Sequence, residues 1–262
     1  MPSLVRVRLR RSAAVLAFGV VFAVAGRVTV AQAQSLTWGG AGTSDYFSPT
    51  NWSNPAVAPP FLPTQSAVFG AGGSSAVVVD LSHSPVFPVP IFQPDSWTFS
   101  ANAQSVYSIS GDAIAFNVAG PTGGIINNAN AGQTITIANN INDGFSGSVV
   151  PVMVQQLGNS TLVLAGANSY SGGTLISAGT LQVTNANSLG AGNVILNGGT
   201  LQAATSMGIG NNFLVNAPGG TVDVNGAQIT LSGVIADGTG AGVLSVIDST
   251  GGGTLELSGL NT

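Results

Sequence analysis

One histidine, nine carboxylates, five arginines and no lysine make up the ionic side chains of this 262-residue sequence, which also has no cysteine. A serine hydrolase needs a base beside its nucleophile. The only imidazole is His83, in a Pro-rich stretch, and no G-x-S-x-G occurs, so His83 reads as a solvated loop residue. A two-carboxylate glycosidase needs its acids about 5 to 10 Å apart. Asp45, Asp80, Asp95, Asp112, Asp143, Asp223, Asp237, Asp248 and Glu256 are widely spaced, so only folding brings any two together. Asp143 and Asp237 matter most, because each precedes a glycine at matching points of a long repeat. That placement equally suits a turn aspartate that bonds its own backbone, and this is the expected role. Gly39 to Asp45 approximates a glycine-rich calcium repeat, but once only and with the wrong spacing. Trp38, Tyr46, Phe47 and Trp52 suit either a sugar-stacking platform or a plug over the open end of a stacked fold, and the plug is expected. No residue is therefore assigned as catalytic, cofactor-binding or metal-binding, and no cofactor is expected.

The elements that would position these groups begin with an export segment. Residues 1–33 open with Arg6, Arg8, Arg10 and Arg11, run apolar from Ala13 to Gly26, and offer Ala31 and Ala33 to a signal peptidase. The apolar run is short for a membrane span and Arg27 interrupts it. Once it is cleaved, nine carboxylates face no arginine or lysine. Nucleic-acid binding, which needs cations to displace counterions from phosphates, is excluded as an expectation. So is electrostatic attachment to an anionic bilayer. No later run is apolar and long enough for a transmembrane helix. Without disulfides, burial and backbone ladders must hold the exported fold.

Those ladders are visible as a repeat. Gly179-Thr180-Leu181-Gln182-Val183 returns as Gly199-Thr200-Leu201-Gln202-Ala203, Gly220-Thr221-Val222-Asp223-Val224 and Gly253-Thr254-Leu255-Glu256-Leu257; the first three copies start about 20 residues apart. Alternation places the apolar pair on one face and Gln182, Gln202, Asp223 or Glu256 on the other. Such a strand buries its apolar face only by stacking on copies of itself. Roughly 20 residues suffice for one rung of a parallel β-helix, with Gly and Asn at the corners. Leu162, Leu164, Leu175, Leu181, Val183, Leu201, Val222 and Val224 are expected inward.

A longer period of about 93 residues sets Thr161 against Thr254, Gln133 against Gln228 and Ile141 against Ile235. The chain divides into a signal peptide (1–33), a Trp/Pro-rich β cap region (34–100) and a β-helix (101–262) with repeats at 158–202 and a truncated copy at 252–262. The stretch 84–94, with four prolines, reads as a protruding loop or extended arm.

The segment SGGTLISAGTLQVTNANSLGAGNVILNGGTLQ, with the preceding GNSTLVLAGANSY, closely resembles the autotransporter-associated β-strand repeat of type V secretion passenger domains in Gram-negative bacteria. The opening TWGG…NWSN…VFG is similar to the start of the mature region in such proteins. The resemblance implies an all-β, right-handed parallel β-helix (solenoid) preceded by a cleavable signal peptide. It also implies a C-terminal translocator barrel, missing from this chain, as partner. The family has no defining catalytic residues to carry over.

The expected function is a non-enzymatic passenger scaffold, exported to the periplasm, cell surface or extracellular space, for adhesion or aggregation, with a host-surface or glycan ligand. The alternatives are a β-helical glycan-active enzyme or a truncated inactive fragment. Expressed in a Gram-negative host with a C-terminal epitope tag, residues 1–262 are expected to reach the periplasm and stay protected from surface protease. Surface exposure of the tag without an added barrel contradicts this.

Overall fold

The computed structural model describes residues 34–40, 43–56, 65–83, 94–118, 123–144 and 150–261. The export segment and nearly all of the Pro-rich arm (84–93) lie outside the described residues. Among the described residues, every regular element is a β-strand or a single-turn 3-10 helix. None is a helix long and apolar enough to cross a membrane.

Apart from Gln34–Trp38 and Gln65–Phe69, the short Gly/Asn-bounded strands do not pair with the next strand in sequence. Each pairs with a strand one rung away, and every pairing between named strands is parallel. Nine strands, from Gln34–Trp38 to Ile235–Asp237, form a first sheet in order of sequence. Eight strands, from Ala76–Val79 to Leu244–Ile247, form a second. Further strands fill a third place in some rungs: Ile114–Phe116 on Ile141–Asp143, and Met207–Ile209, Gln228–Leu231 and Thr254–Leu257 on one another. This is the parallel stacking of a β-helical solenoid. Val154, Thr174, Val194 and Phe213 stand in register, which gives rungs of 19 or 20 residues, the length expected from the repeat. Leu36, Ala67, Trp97, Ile125 and Val154 are also in register, so the earlier rungs are 28 to 31 residues long. The added residues fall in the connections between strands.

Alternation decides what is buried. Leu162, Leu164, Leu181, Val183, Leu201, Val222 and Val224 are all in the core, as their spacing requires. Leu175 is a correction. In Thr174–Ile176 the outer two residues are buried and Leu175 faces outward, half-buried. The reason is a hydrogen bond: the Thr174 hydroxyl lies 2.6 Å from the buried Tyr170 hydroxyl, so a polar residue takes the inward place. A second correction concerns the fourth Gly-Thr copy. Thr180, Thr200 and Thr221 stack in register in the second sheet, but Thr254–Leu257 pairs with Gln228–Leu231 in the third place. The 93-residue likeness thus links strands on different faces. All faces demand the same alternation, so similar sequences serve any of them.

Corners place glycine where a side chain would collide. Gly190 has φ +63°, and a Cβ there would lie 2.4 Å from the Tyr170 carbonyl oxygen of the previous rung. At the start of the solenoid, Trp38, Tyr46, Phe47 and Trp52 are 0 to 4% exposed and pack with Phe69 and Trp97. Tyr46 and Trp52 meet edge to face at 4.9 Å, and Trp52 Nε1 donates to the Tyr46 carbonyl at 2.9 Å. They fill the end of the core and offer no stacking face to a sugar, as the plug expectation required.

Leu181→Ala leaves a cavity between rungs and should cost about 2–5 kcal/mol. Leu175→Ala removes a half-solvated side chain and should cost much less. Urea unfolding of the two variants checks the inward and outward assignments, and equal losses would contradict them.

Candidate interaction surface

The ionisable residues come together in ways that serve the fold. His83 ends the 3-10 turn Leu81–His83, and its Nδ1 lies 3.2 Å from Asp45 Oδ2 and 3.8 Å from Asp80 Oδ2. Its expected solvation holds, since the side chain is 59% exposed. The partnership with Asp45, 38 residues away, was not legible in sequence. The Ser82 hydroxyl donates to Asp80 Oδ1 at 2.6 Å, so it is not presented to the imidazole as a nucleophile. That bond, the Ser82 N–H and the nearby His83 outweigh the small effect of burial and hold the Asp80 carboxyl below its ordinary range.

Seven aspartates accept backbone N–H groups. Asp45 takes Phe47, Asp80 takes Ser82, Asp112 takes Leu81 and Asp237 takes Gly242. Asp143 accepts from Val152 at 2.8 Å and from Ser171 at 3.1 Å, so it ties one rung to the next and is more than a local turn former. Asp248 accepts from Gly226, Gly251 and Gly253. Asp143 and Asp237, the candidate pair, belong to different sheets: Asp143 to the short pair with Phe116, Asp237 to the first sheet. Among the described residues, no group of three or more acidic, His or Cys side chains is placed to hold a metal ion.

The surface that remains is the outer face of the second sheet, which carries two rows. In one, Gln182 Nε2 donates to Gln202 Oε1 at 2.7 Å, and Gln202 Nε2 donates to Asp223 Oδ2 at 2.8 Å. Asp223 also accepts from the Ser249 hydroxyl and from the Ser249 and Asn225 N–H groups. Burial alone would raise the Asp223 pKa, but these bonds together outweigh it and hold the carboxyl below its ordinary range. In the other row Thr134, Thr161, Thr180, Thr200 and Thr221 stand in register on five successive rungs, all facing out and partly exposed. Three of these threonines open the Gly-Thr motif, yet reading that motif for its leucines overlooked the alignment of the hydroxyls. A shallow groove of about 670 Å³ lies elsewhere, near the aromatic end, lined by Thr37, Thr50, Ser53, Ser100 and Asn102 with the edges of Trp38 and Trp52.

The repeat's own residues lock rungs together. Asn168 Nδ2 donates to the Ser188 carbonyl at 2.6 Å, and its Oδ1 accepts from Ile141 N–H at 2.8 Å, so one side chain spans three rungs. Residues 154–183 match the family model described as the passenger-associated-transport-repeat. The chain is 34% identical over 214 residues to the adhesin BmaC autotransporter of Brucella suis biovar 1 (strain 1330). The match takes in 80% of this chain and 6% of that relative's length. No solved structure matches significantly. The chain therefore carries an autotransporter passenger repeat and is a distant homologue of a small part of a much longer autotransporter.

Both Asp223 and Asp248 ionise more readily in the folded chain; for Asp248 the Gly253 N–H is the main cause. A lowered folded pKa contributes stability that is complete above the unfolded value, about 3.9, and is lost as pH falls through the folded values. The late rungs should therefore loosen below about pH 4. Asp223→Asn should lower the thermal midpoint at pH 7 and flatten its decline between about pH 4 and 2. An unchanged slope, followed by circular dichroism, would show that Asp223 is not a source of the acid sensitivity.

Proposed function

We propose that this chain is a non-enzymatic part of an autotransporter passenger, displayed at or released from the surface of a Gram-negative cell, where it serves adhesion. The observation that carries the reading is the 34% identity over 214 residues with a protein named an adhesin. The geometry agrees with it. Most of the carboxylates are engaged as backbone acceptors that hold corners and rungs, and the interior is filled with apolar and hydrogen-bonded side chains. A rigid stack of this kind presents long surface rows at fixed spacing, which suits multivalent attachment. Its right-handed coil, its cleavable signal and its dependence on a translocator barrel belong to the same proposal.

The test is to fuse the chain to a translocator barrel in a non-adherent Gram-negative host and count bound cells on epithelial monolayers. Adherence should rise at least several-fold over the barrel alone. His83→Ala, or Asp143→Asn with Asp237→Asn, should leave it unchanged. In parallel, the purified chain should show no turnover on polysaccharide, ester or peptide panels. Turnover that those substitutions abolish would replace this reading with an enzymatic one.

A further inference from the structure

We propose that the outer face of the second sheet, along Thr134, Thr161, Thr180, Thr200 and Thr221, binds an extended, uncharged polysaccharide. The proposal rests on the adhesive reading and adds to it the surface and the ligand class.

The first support is unused hydrogen-bonding capacity. A threonine hydroxyl donates one hydrogen bond and accepts others. Among the described residues, none of these five hydroxyls is bonded to a protein group, whereas in the neighbouring row Gln182 donates to Gln202 and Gln202 donates to Asp223. The two rows therefore differ in kind: one is closed on itself and the other is open to a ligand. Sugar hydroxyls have the same double capacity, donor and acceptor, at every unit.

The second support is periodicity on a rigid base. Successive rungs are spaced by about 4.8 Å, so five hydroxyls define a straight run of roughly 19 Å. The strands that carry them, from Thr134–Ile137 to Gly220–Asp223, are paired on both sides. Apolar residues lock each from beneath: Ile135, Leu162, Leu181, Leu201 and Val222 are all buried. A linear ligand with its own repeat engages such a run more fully than a compact one. A protein partner adding a strand has no edge to join here, because both neighbours of every carrying strand are already in place.

The third support is charge. No lysine or arginine occurs between residues 34 and 262, and the nearest charge in the adjoining row is the Asp223 carboxylate. A uronate-bearing or sulfated glycan would be desolvated with no cation to pair with, beside the largely buried Asp223 carboxylate. An uncharged one has no charge to desolvate. Aromatic rings take no part, since the large aromatic side chains of the described core are buried. Each contact is then weak, and the strength comes from their number.

The experiment uses the full chain with insoluble β-1,4-glucan, insoluble β-1,3-glucan and immobilised α-mannan as probes, and immobilised polygalacturonate as the anionic control. At least one neutral polymer should deplete the chain from solution, and polygalacturonate should do so at least about tenfold less well. Thr161→Val, Thr180→Val and Thr200→Val combined keep shape and strand preference while removing three hydroxyls. This variant should keep its thermal midpoint and bind about tenfold less, whereas the matching Thr→Ser variant should stay within about twofold. If the triple Val variant fails to fold, Thr180→Val alone carries the test, with a two- to threefold loss expected. Binding unaffected by Val, binding to no neutral polymer, or preference for polygalacturonate each overturns the proposal. Cell adherence of the barrel fusion is measured alongside. Adherence that survives the triple Val variant overturns this surface but leaves the adhesive reading standing, while a wild-type fusion that does not adhere overturns the adhesive reading itself.

Discussion

The in-register parallel ladder between rungs is the constraint on which everything else depends. Thr161, Thr180, Thr200 and Thr221 are partners in unbroken succession, and Leu162, Leu181, Leu201 and Val222 follow them one residue on. A single rung leaves all its strand hydrogen bonds unmade and its apolar side chains bare. Two rungs satisfy one side of each, and only a stack satisfies the interior ones fully. Stability is therefore a property of neighbouring rungs, and a slip of one residue would turn every leucine outward. Register is pinned at the corners as well as in the strands. Asn168 reaches two other rungs, Asn211 donates to the Gly190 and Gly192 carbonyls, and Asn216 donates to Asn197.

Most of the residues that define the repeat are there to make a rung. Tyr170 is wholly buried, and burial, only partly offset by its bond to Thr174, drives its phenol pKa far above the ordinary value. It supports the carbonyl that Gly190 must approach closely. Where the rungs are longer, a different device appears. Asn127 donates to Gln156 Oε1 and to the Ser160 hydroxyl, and Gln156 donates to the Ser160 carbonyl, all in the core. This polar knot sits where 28- or 29-residue rungs give way to 20-residue rungs. Buried amides of this kind are tolerated because their bonds are made.

Much of this was legible because alternation is a local property. Leu181 and Gln182 must point to opposite sides, whatever their neighbours, and the spacing of Gly-Thr copies gave the rung length. Three things were not legible, for physical reasons. Face assignment was hidden because every face imposes the same alternation, so Thr254–Leu257 looked like another member of the second-sheet stack. The phase of Thr174–Ile176 was hidden because a three-residue strand shows too little alternation, and a hydrogen bond to Tyr170 decided it. The cross-rung partners of Asp45, Asp143 and Asp223 were hidden because they lie 38, 28 and 26 residues away. The turn role expected of Asp143 and Asp237 was right in kind, but for Asp143 the backbone it holds is largely another rung's.

The same constraint explains where such a fold is free to vary. An inward position must be apolar or hydrogen-bonded, and a corner must accept the backbone of the next rung within van der Waals distance. Outward positions of a strand obey neither rule. In the second sheet one outward row closes into an amide and carboxylate ladder on three rungs, while the other repeats a single hydroxyl residue on five. Valine would serve the strand as well there, since it has the same shape and at least the same strand preference. Folding alone thus gives no reason for a hydroxyl at five successive rungs. What distinguishes threonine from valine at those places is what it offers to the medium outside the fold.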